Sequence, residues 1–392
     1  MKKYNVRILH IISGLLTGGA EKSLFNLLKG GLSDFCCNYV VSLTGEGTVG
    51  SQIKSLGVSV EVLNMKNVSS IFPASQKLLR IVNHVKPDII QGWMYHGNIA
   101  ATLIKILSSN PSFLVWNIRH CLYKLGHEKT ITQLVIFANR FFSSQPDALL
   151  YNSKISKKLH EEFGFSSSNG NVIHNGFDVK TFFPLCGVRN RIRSELGIPD
   201  DAFVVGHVAR FDPLKDHKTF FSAASNIAKR YSKVYFLVVG REVEFSNKQL
   251  MSYIPASLQS RFYLLGDRGD VPCLLKGMDL LCQSSCSEAF PNVLGEAMAS
   301  GVPCVATNVG DSSIIIGDTG ILVPPRDDLA LFSGIEKFLT MSVKDYCILS
   351  KLARVRIERN FSLTKTVCNY FTLYEKLLSK RKNIMGKDDF FC

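Results

Sequence analysis

Apolar runs of four to eight residues recur along this chain, and between them the apolar residues fall at helical spacing. Runs that short and that purely apolar suit strands covered on both faces, and helices interleaved with them imply β-α-β crossovers over a parallel sheet. A strand over 6–12 leads through a glycine loop into a helix over 21–29. Strands over 39–43 and 58–63 bracket a helix over 51–56. A helix over 76–84 precedes strands over 88–92, 113–117 and 148–152. The pattern then restarts. A strand over 203–208 is followed by a helix over 218–230, a strand over 234–239 closed by Gly240, and strands over 262–265, 280–283 and 304–307. The fold class is therefore α/β, with two doubly wound domains. A polar boundary is expected over 184–199, where Arg189, Arg191 and Arg193 cluster.

A length of 392 residues, 46% hydrophobic and 20% charged, suits two ordinary domains. No uncharged apolar window reaches 18 residues, so no spanning helix is expected. The start, MKKYNVRILHIISGLLTGG, imitates a signal peptide, but Asn5 and Arg7 interrupt its apolar run and a glycine loop follows, which favours a buried first strand. The 11 cysteines form no C-x-x-C pair. Cys36–Cys37 are adjacent and Cys282 and Cys286 lie four apart without nearby histidines, so reduced, mostly buried thiols in a cytosolic protein are expected. The net charge is +14, and residues 1–180 hold 19 Lys+Arg against 10 Asp+Glu. That excess suits anionic partners such as an acidic membrane face or phosphorylated substrates. No nucleic-acid motif accompanies it, so nucleic acid is not expected as a partner.

Ligands of open α/β sheets bind beyond the carboxyl ends of the strands, and with two such domains face to face the site is expected in the cleft between them. The sharpest constellation runs from Glu288 to Gly301, EAFPNVLGEAMASG, after the strand over 280–283. Pro291 suits a first helical turn and Gly301 with Pro303 a stop, so Glu288 precedes a helix and Glu296 lies inside it. The free N–H groups over Pro291, Asn292, Val293 and Leu294 would form a diphosphate seat. Glu288 can accept hydrogen bonds from sugar hydroxyls and Glu296 from ribose hydroxyls. The competing reading of two glutamates eight apart is an ordinary solvated helix.

This segment, with the PCVATNVGDSSIIIGDTGILVPPRD that follows, resembles the E-x7-E signature region of family 4 retaining glycosyltransferases of the GT-B fold. That resemblance implies two facing Rossmann-like domains with an inter-domain cleft. It gives an acceptor-binding domain over 1–185, a nucleotide-sugar-binding domain over 186–365, and a C-terminal helix and tail over 366–392 that pack back on the first domain. It is specific over roughly 200–325 and looser over 1–185. Ala289 stands where the family usually has glycine, and Asp311 replaces a common second glycine.

After the strand over 203–208, Arg210 and Lys215 resemble the family's paired cations on the donor diphosphate, where they would neutralise a leaving group's developing charge. Pairing with Asp212 or Asp216 is the alternative. Gly18 and Gly19, in TGGAE, resemble the N-terminal glycine loop. Glu21 either serves there or simply favours the helix start. His120 falls where the family places a histidine near the donor sugar. His96 suits the acceptor side, and Arg119 is a further candidate anion contact. Phe290 completes the donor loop. Residues 172–178, with Phe183 and Pro184, resemble the family's domain-junction segment. Leu264–Arg268 would meet the base, with Arg268 among the contacts. Gly240, followed by Arg241, stands where glycine-acidic-glycine is more usual. No D-x-D occurs, so no metal cofactor is expected, and a nucleoside diphosphate sugar is the co-substrate.

The resemblance thus implies retaining transfer of a hexose or N-acetylhexosamine, UDP-linked, to a lipid-linked glycan or lipopolysaccharide acceptor in surface-polysaccharide synthesis (O-antigen or capsule). The protein would be cytoplasmic and peripheral at the inner membrane face. A sugar-nucleotide epimerase, or a non-catalytic nucleotide-sugar-binding partner, is the alternative.

Overall fold

The computed structural model describes residues 6–123, 126, 130–185 and 187–385; the tail expected over 386–392 lies outside the described residues. The chain divides into two units, one of residues 1–176 and 363–392, the other of 177–362.

In the first unit seven parallel strands take the order β3-β2-β1-β4-β5-β6-β7: β1 (Val6–Ile12), β2 (Cys36–Ser42), β3 (Ser59–Val62), β4 (Ile89–Trp93), β5 (Phe113–Ile118), β6 (Ala148–Tyr151) and β7 (Gly170–Val172). Alternation in β1 shows the two-sided burial. Ile8 and Ile12 enter one core with Trp93 and Val115, and Leu9 and Ile11 enter the other with Ile90 and Trp116. The second core is roofed by the helices Ile71–Val85, Met94–Leu107 and Thr130–Phe142, through residues such as Leu78, Ile104 and Ile136. The first is roofed by Gly19–Leu27, Gly47–Ser55 and the C-terminal helix Leu363–Met385. That last helix presents Val367, Tyr370, Tyr374 and Leu377 at three- and four-residue spacing, an apolar stripe buried against the sheet.

In the second unit six parallel strands take the order β10-β9-β8-β11-β12-β13: β8 (Phe203–Val208), β9 (Val234–Val239), β10 (Phe262–Leu264), β11 (Leu280–Gln283), β12 (Cys304–Thr307) and β13 (Ile321–Val323). Both sheets are wound outward from a central strand, so each has one switch point: β1/β4 in the first unit and β8/β11 in the second.

The boundary differs from the sequence expectation. Phe177, not 184–199, opens the second unit, because its ring stacks on Phe290 (centroids 6.1 Å) and its N–H donates to the Phe361 carbonyl at 2.8 Å. The stretch taken for a boundary folds as a helix, Val188–Leu196. Its Arg193 is fully buried, donating to Asp279 at 2.6 Å and to the carbonyls of Gly277 and Ala202. A buried charge is tolerated only with partners of this kind. All nine described cysteines are free thiols, but only Cys36, Cys121, Cys282 and Cys304 are buried, fewer than expected. No described helix is long and apolar enough to cross a membrane.

Candidate active site

The second unit's switch point carries the charged residues singled out in the sequence. After β8 the chain makes a short turn, Pro213–Lys215, capped by Asp212, whose Oδ1 accepts from the Leu214 N–H at 2.9 Å. Asp216, at φ +48°, then caps the helix His217–Arg230, accepting from the Thr219 N–H at 3.3 Å and its hydroxyl at 2.7 Å. The loop after β11 pins this turn: the Ser284 hydroxyl donates to the carbonyls of Lys215 and Asp216, and the Cys286 N–H to that of Leu214.

The result is a fixed meeting of Lys215 and Glu288. Lys215 Nζ lies 2.5 Å from Glu288 Oε1, with the two side chains only 24% and 14% exposed. The same Oε1 accepts from the Ser285 hydroxyl at 2.7 Å and from Gln283 Nε2 at 3.3 Å. Thr307, at the end of β12, donates to the Ser285 carbonyl at 2.5 Å. Gly310 closes against the same loop. At φ +58°, a Cβ there would stand 2.4 Å from the Glu288 carbonyl oxygen, and next to it the Asp311 N–H donates to the Ala289 carbonyl at 3.0 Å. A side chain with three donors at one carboxylate oxygen is held in a single orientation. Gln283, Ser284, Ser285, Thr307 and Gly310 were not singled out in the sequence. Their one local signal is a polar run, Gln-Ser-Ser, closing an apolar strand; all three residues prove buried.

The helix after Glu288 runs Asn292–Ala299. Pro291 is its N-cap, with ψ 98°, rather than a residue of the first turn. The N–H seat over 291–294 is narrower than expected: proline has no N–H, and that of Leu294 is spent on the Pro291 carbonyl at 3.2 Å. Phe290 and Leu294 are 5% and 0% exposed and belong to the core. Glu296 is half-buried inside the helix.

Arg210 is half-exposed and bound by Asp212 at 2.8 and 3.0 Å, the alternative partner weighed above. Arg268 likewise makes two hydrogen bonds to Asp270, at 2.7 and 2.6 Å. Gly240 is dictated by packing: a Cβ would stand 2.0 Å from the Ala209 carbonyl oxygen and 2.8 Å from the Arg210 nitrogen. Its N–H donates to the Gly266 carbonyl, so the loops after β8, β9 and β10 are laced together. Arg241 is exposed.

In the first unit, Gly18 caps the helix Gly19–Leu27, and the Glu21 carboxylate folds back against it, where a Gly18 Cβ would stand 2.2 Å away. Gly19 has open space around it. His96 lies exposed in the first turn of Met94–Leu107, after β4. His120 follows β5 and is braced. Its carbonyl accepts from the Ser156 hydroxyl at 2.5 Å and its ring meets Tyr95 edge-on (centroids 6.3 Å). The Tyr95 hydroxyl lies 2.7 Å from Nε2 of His160, whose Nδ1 lies 2.8 Å from the Ser156 carbonyl. A ring nitrogen facing a carbonyl must carry the proton, so the tyrosine donates to Nε2. Burial drives the His160 pKa down to about 4. Arg119 departs from the anion contact suggested for it. Its guanidinium donates to Tyr370 Oη at 3.0 Å, Asn117 Oδ1 at 3.4 Å and Asn175 Oδ1, and sits 5.6 Å from the Trp93 ring centroid. It ties β5 to the C-terminal helix.

Two parallel Rossmann-like sheets place the chain in the α/β class, and the second bears a carboxylate–ammonium pair beside a helix start at its switch point. Residues 17–181 match the model of Glycosyltransferase Family 4, and 202–341 that of Glycosyl transferases group 1. The chain belongs to this family and is a glycosyltransferase related to surface-polysaccharide transferases. It is 23% identical to EpsF of Bacillus subtilis (strain 168) over 348 residues, covering 84% of this chain and 85% of that one. It is 28% identical over 208 residues to the UDP-Gal:alpha-D-GlcNAc-diphosphoundecaprenol alpha-1,3-galactosyltransferase of Escherichia coli, about half of each chain (52% and 53%). The fold matches that of Anabaena HepE, solved with UDP, at a TM-score of 0.81, 23% identity, and 95% and 100% coverage, which places both units in the GT-B fold.

Proposed function

We propose that the chain moves a hexose or N-acetylhexosamine from a UDP-sugar to a lipid-linked glycan or lipopolysaccharide acceptor, with retention at the anomeric carbon. The observation that carries this reading is the Lys215–Glu288 pair at the β8/β11 switch point, beside the start of the helix Asn292–Ala299. Lys215 and Arg210 would meet the departing diphosphate, beside the start of the helix Asn292–Ala299. That charge develops mostly in the transition state, so these contacts raise rate as well as binding. Glu288, fixed by Gln283 and Ser285, would position the sugar and Glu296 the ribose. In the first unit this reading assigns His120 to the sugar and His96 to the acceptor. The acceptor oxygen attacks from the face the diphosphate leaves, and the leaving phosphate takes its proton, so no metal is needed. The UDP in the HepE structure and the diphosphoundecaprenol in the galactosyltransferase's name favour this donor and acceptor.

The test is release of nucleotide from a panel of UDP-, GDP- and ADP-sugars, with and without membrane lipid extract. Lipid-dependent release from one UDP-sugar, abolished in folded Glu288→Ala, is expected. UDP binding without release under any condition would replace transfer with a binding role, and product formation without acceptor would replace it with epimerisation.

A further inference from the structure

The helix Lys154–Glu162, which follows β6, spends its buried polar residues on His120. Ser153 caps it, accepting from the Ser156 N–H at 3.0 Å, so its first turn is fixed. Ser156 then makes two further bonds. Its hydroxyl donates to the His120 carbonyl at 2.5 Å, and its own carbonyl lies 2.8 Å from Nδ1 of His160, one turn later. His160 Nε2 lies 2.7 Å from the Tyr95 hydroxyl, and the Tyr95 ring meets that of His120 at 6.3 Å between centroids and 77° between planes. These contacts close a circuit. It runs from Ser156 to the His120 main chain, and from the His120 ring back to Ser156 through Tyr95 and His160.

The two middle members are firmly built in. Tyr95 and His160 are 3% and 0% exposed. His160 is enclosed by the rings of Tyr95, Tyr151 and Phe165, at 5.9, 5.5 and 5.0 Å between centroids. Asn139, itself fully buried, donates to the Tyr95 carbonyl at 3.0 Å, so the tyrosine is held at both ends. Its direction is set by Met94, which adopts φ +61°, a left-handed conformation that a residue with a side chain rarely takes. Past that turn Tyr95 is buried and His96 exposed. Strain of this kind persists only where the surroundings over-determine it, and it gathers at functional sites. Apolar residues at 95 and 160 would fill the same volume with no buried polar groups to satisfy. What the polar pair adds is orientation: the hydrogen bond fixes the tyrosine ring, and the ring limits how the His120 imidazole can turn against it.

We propose that Tyr95 and His160 are positioning residues for His120, locking its imidazole in the orientation in which it meets the donor sugar. The proposal deepens the function proposed above and rests on the sugar contact assigned there to His120. Kinetics with the UDP-sugar that the chain turns over test it. Tyr95→Phe keeps the ring and removes the bond, so kcat should fall about tenfold while KM for the donor stays within about twofold, orientation rather than binding being lost. His160→Leu should do the same, and His160→Gln, which offers the tyrosine a neutral acceptor, should recover most of the loss. In a His120→Ala background Tyr95→Phe should cost no further activity, whereas a purely structural loss would add to that of His120→Ala. A second readout needs no catalysis. In NMR spectra of the chain carrying isotope-labelled histidine and no nucleotide, the His120 ring-nitrogen signals, identified by their absence in His120→Ala, should shift in Tyr95→Phe. Those of His84, exposed on the helix Ile71–Val85, should not. Unshifted His120 signals, additive kinetic losses, or a His160→Gln variant no better than His160→Leu would overturn the proposal. Shifted signals in a chain whose transfer survives His120→Ala would leave the brace standing and remove the sugar contact assigned to His120.

Discussion

The two sheets share a winding plan but fill their switch points differently. At β8/β11 the second unit gathers ions: Lys215 against Glu288, Arg210 against Asp212, and around them a shell of hydroxyls and amides from β11 and β12. At β1/β4 and the neighbouring β5 the first unit gathers neutral groups around one cation, Arg119. His10 is buried between Asn38 Oδ1 (3.0 Å) and the Trp93 indole N–H (3.2 Å), and burial brings its pKa down to about 4; Arg119 is turned inward on Tyr370. A diphosphate needs fixed cations and oriented N–H groups, whereas an uncharged hydroxyl acceptor needs only hydrogen-bonding side chains. On the function proposed above, the donor would fall to the sheet that gathers ions and the acceptor to the other.

Breaking the ionic switch point should have the largest effect. Lys215→Ala and Glu288→Ala should each lower kcat/KM for sugar transfer on the order of a hundredfold to a thousandfold. Each also leaves the other group charged and partly buried. Thermal melting of the double variant should therefore show less destabilisation than the sum of the singles, with a coupling of about 1–3 kcal/mol. Additive losses would mean that the pair is not coupled in the folded chain.

Two glycine substitutions sharpen the contrast. Gly310→Ala forces a Cβ against the Glu288 carbonyl oxygen at positive φ, so the Glu288 loop must move. Transfer should fall more than tenfold, for about 1–3 kcal/mol of stability. Gly97→Ala, in the first unit, places its Cβ 2.5 Å from the Ile11 carbonyl oxygen, a contact of helix on strand. It should cost similar stability with transfer little changed at a temperature where the protein remains folded. Equal kinetic losses in both variants would erase the distinction between the sheets.

The neutral histidines make a pH prediction. His10 and His160 fall from 6.5 to about 4 on folding, and His217 in the second unit does the same, each through burial. Between those values the unfolded chain binds protons that the folded chain refuses. Stability is therefore full above about 6.5 and is lost as pH falls toward 4. Calorimetric melting should show this decline, and His160→Gln should flatten part of it. A decline unchanged by that substitution would remove His160 from the titration.

Much of this was legible in sequence because it is local. The strands, the glycine loops and the Glu288–Gly301 segment are contiguous, and Lys215 follows directly from a strand end. What was missed depends on distant partners. Arg193 resembles a linker charge until Asp279, 86 residues away, buries it. Phe177 lies in the segment 172–178 that resembles a domain junction, but its part in opening the second unit depends on Phe290 and Gly295, which pack against it. Gln283 and Ser285 acquire a purpose only when Glu288 turns back onto them. The helix Met94–Leu107 escaped periodicity because apolar residues face both the sheet and the outside.

The smallest expected effect tests the neutral side by itself. Tyr370 Oη accepts from Asn117 Nδ2 at 2.8 Å and from Arg119 at 3.0 Å, joining the C-terminal helix to β5. Tyr370→Phe removes the acceptor and leaves the buried Asn117 amide short of a partner, while Arg119 keeps Asn117 and Asn175. Losing a buried acceptor in this way costs about 1–2 kcal/mol, more than the net worth of the bonds because the donors stay desolvated. Chemical denaturation should show that loss, with kcat and KM within about twofold of wild type, since the hydroxyl serves only to attach a helix. A selective rise in the acceptor's KM at unchanged donor KM would show instead that Arg119, once released, reaches substrate, and the first unit's charge would then have to be counted with its chemistry.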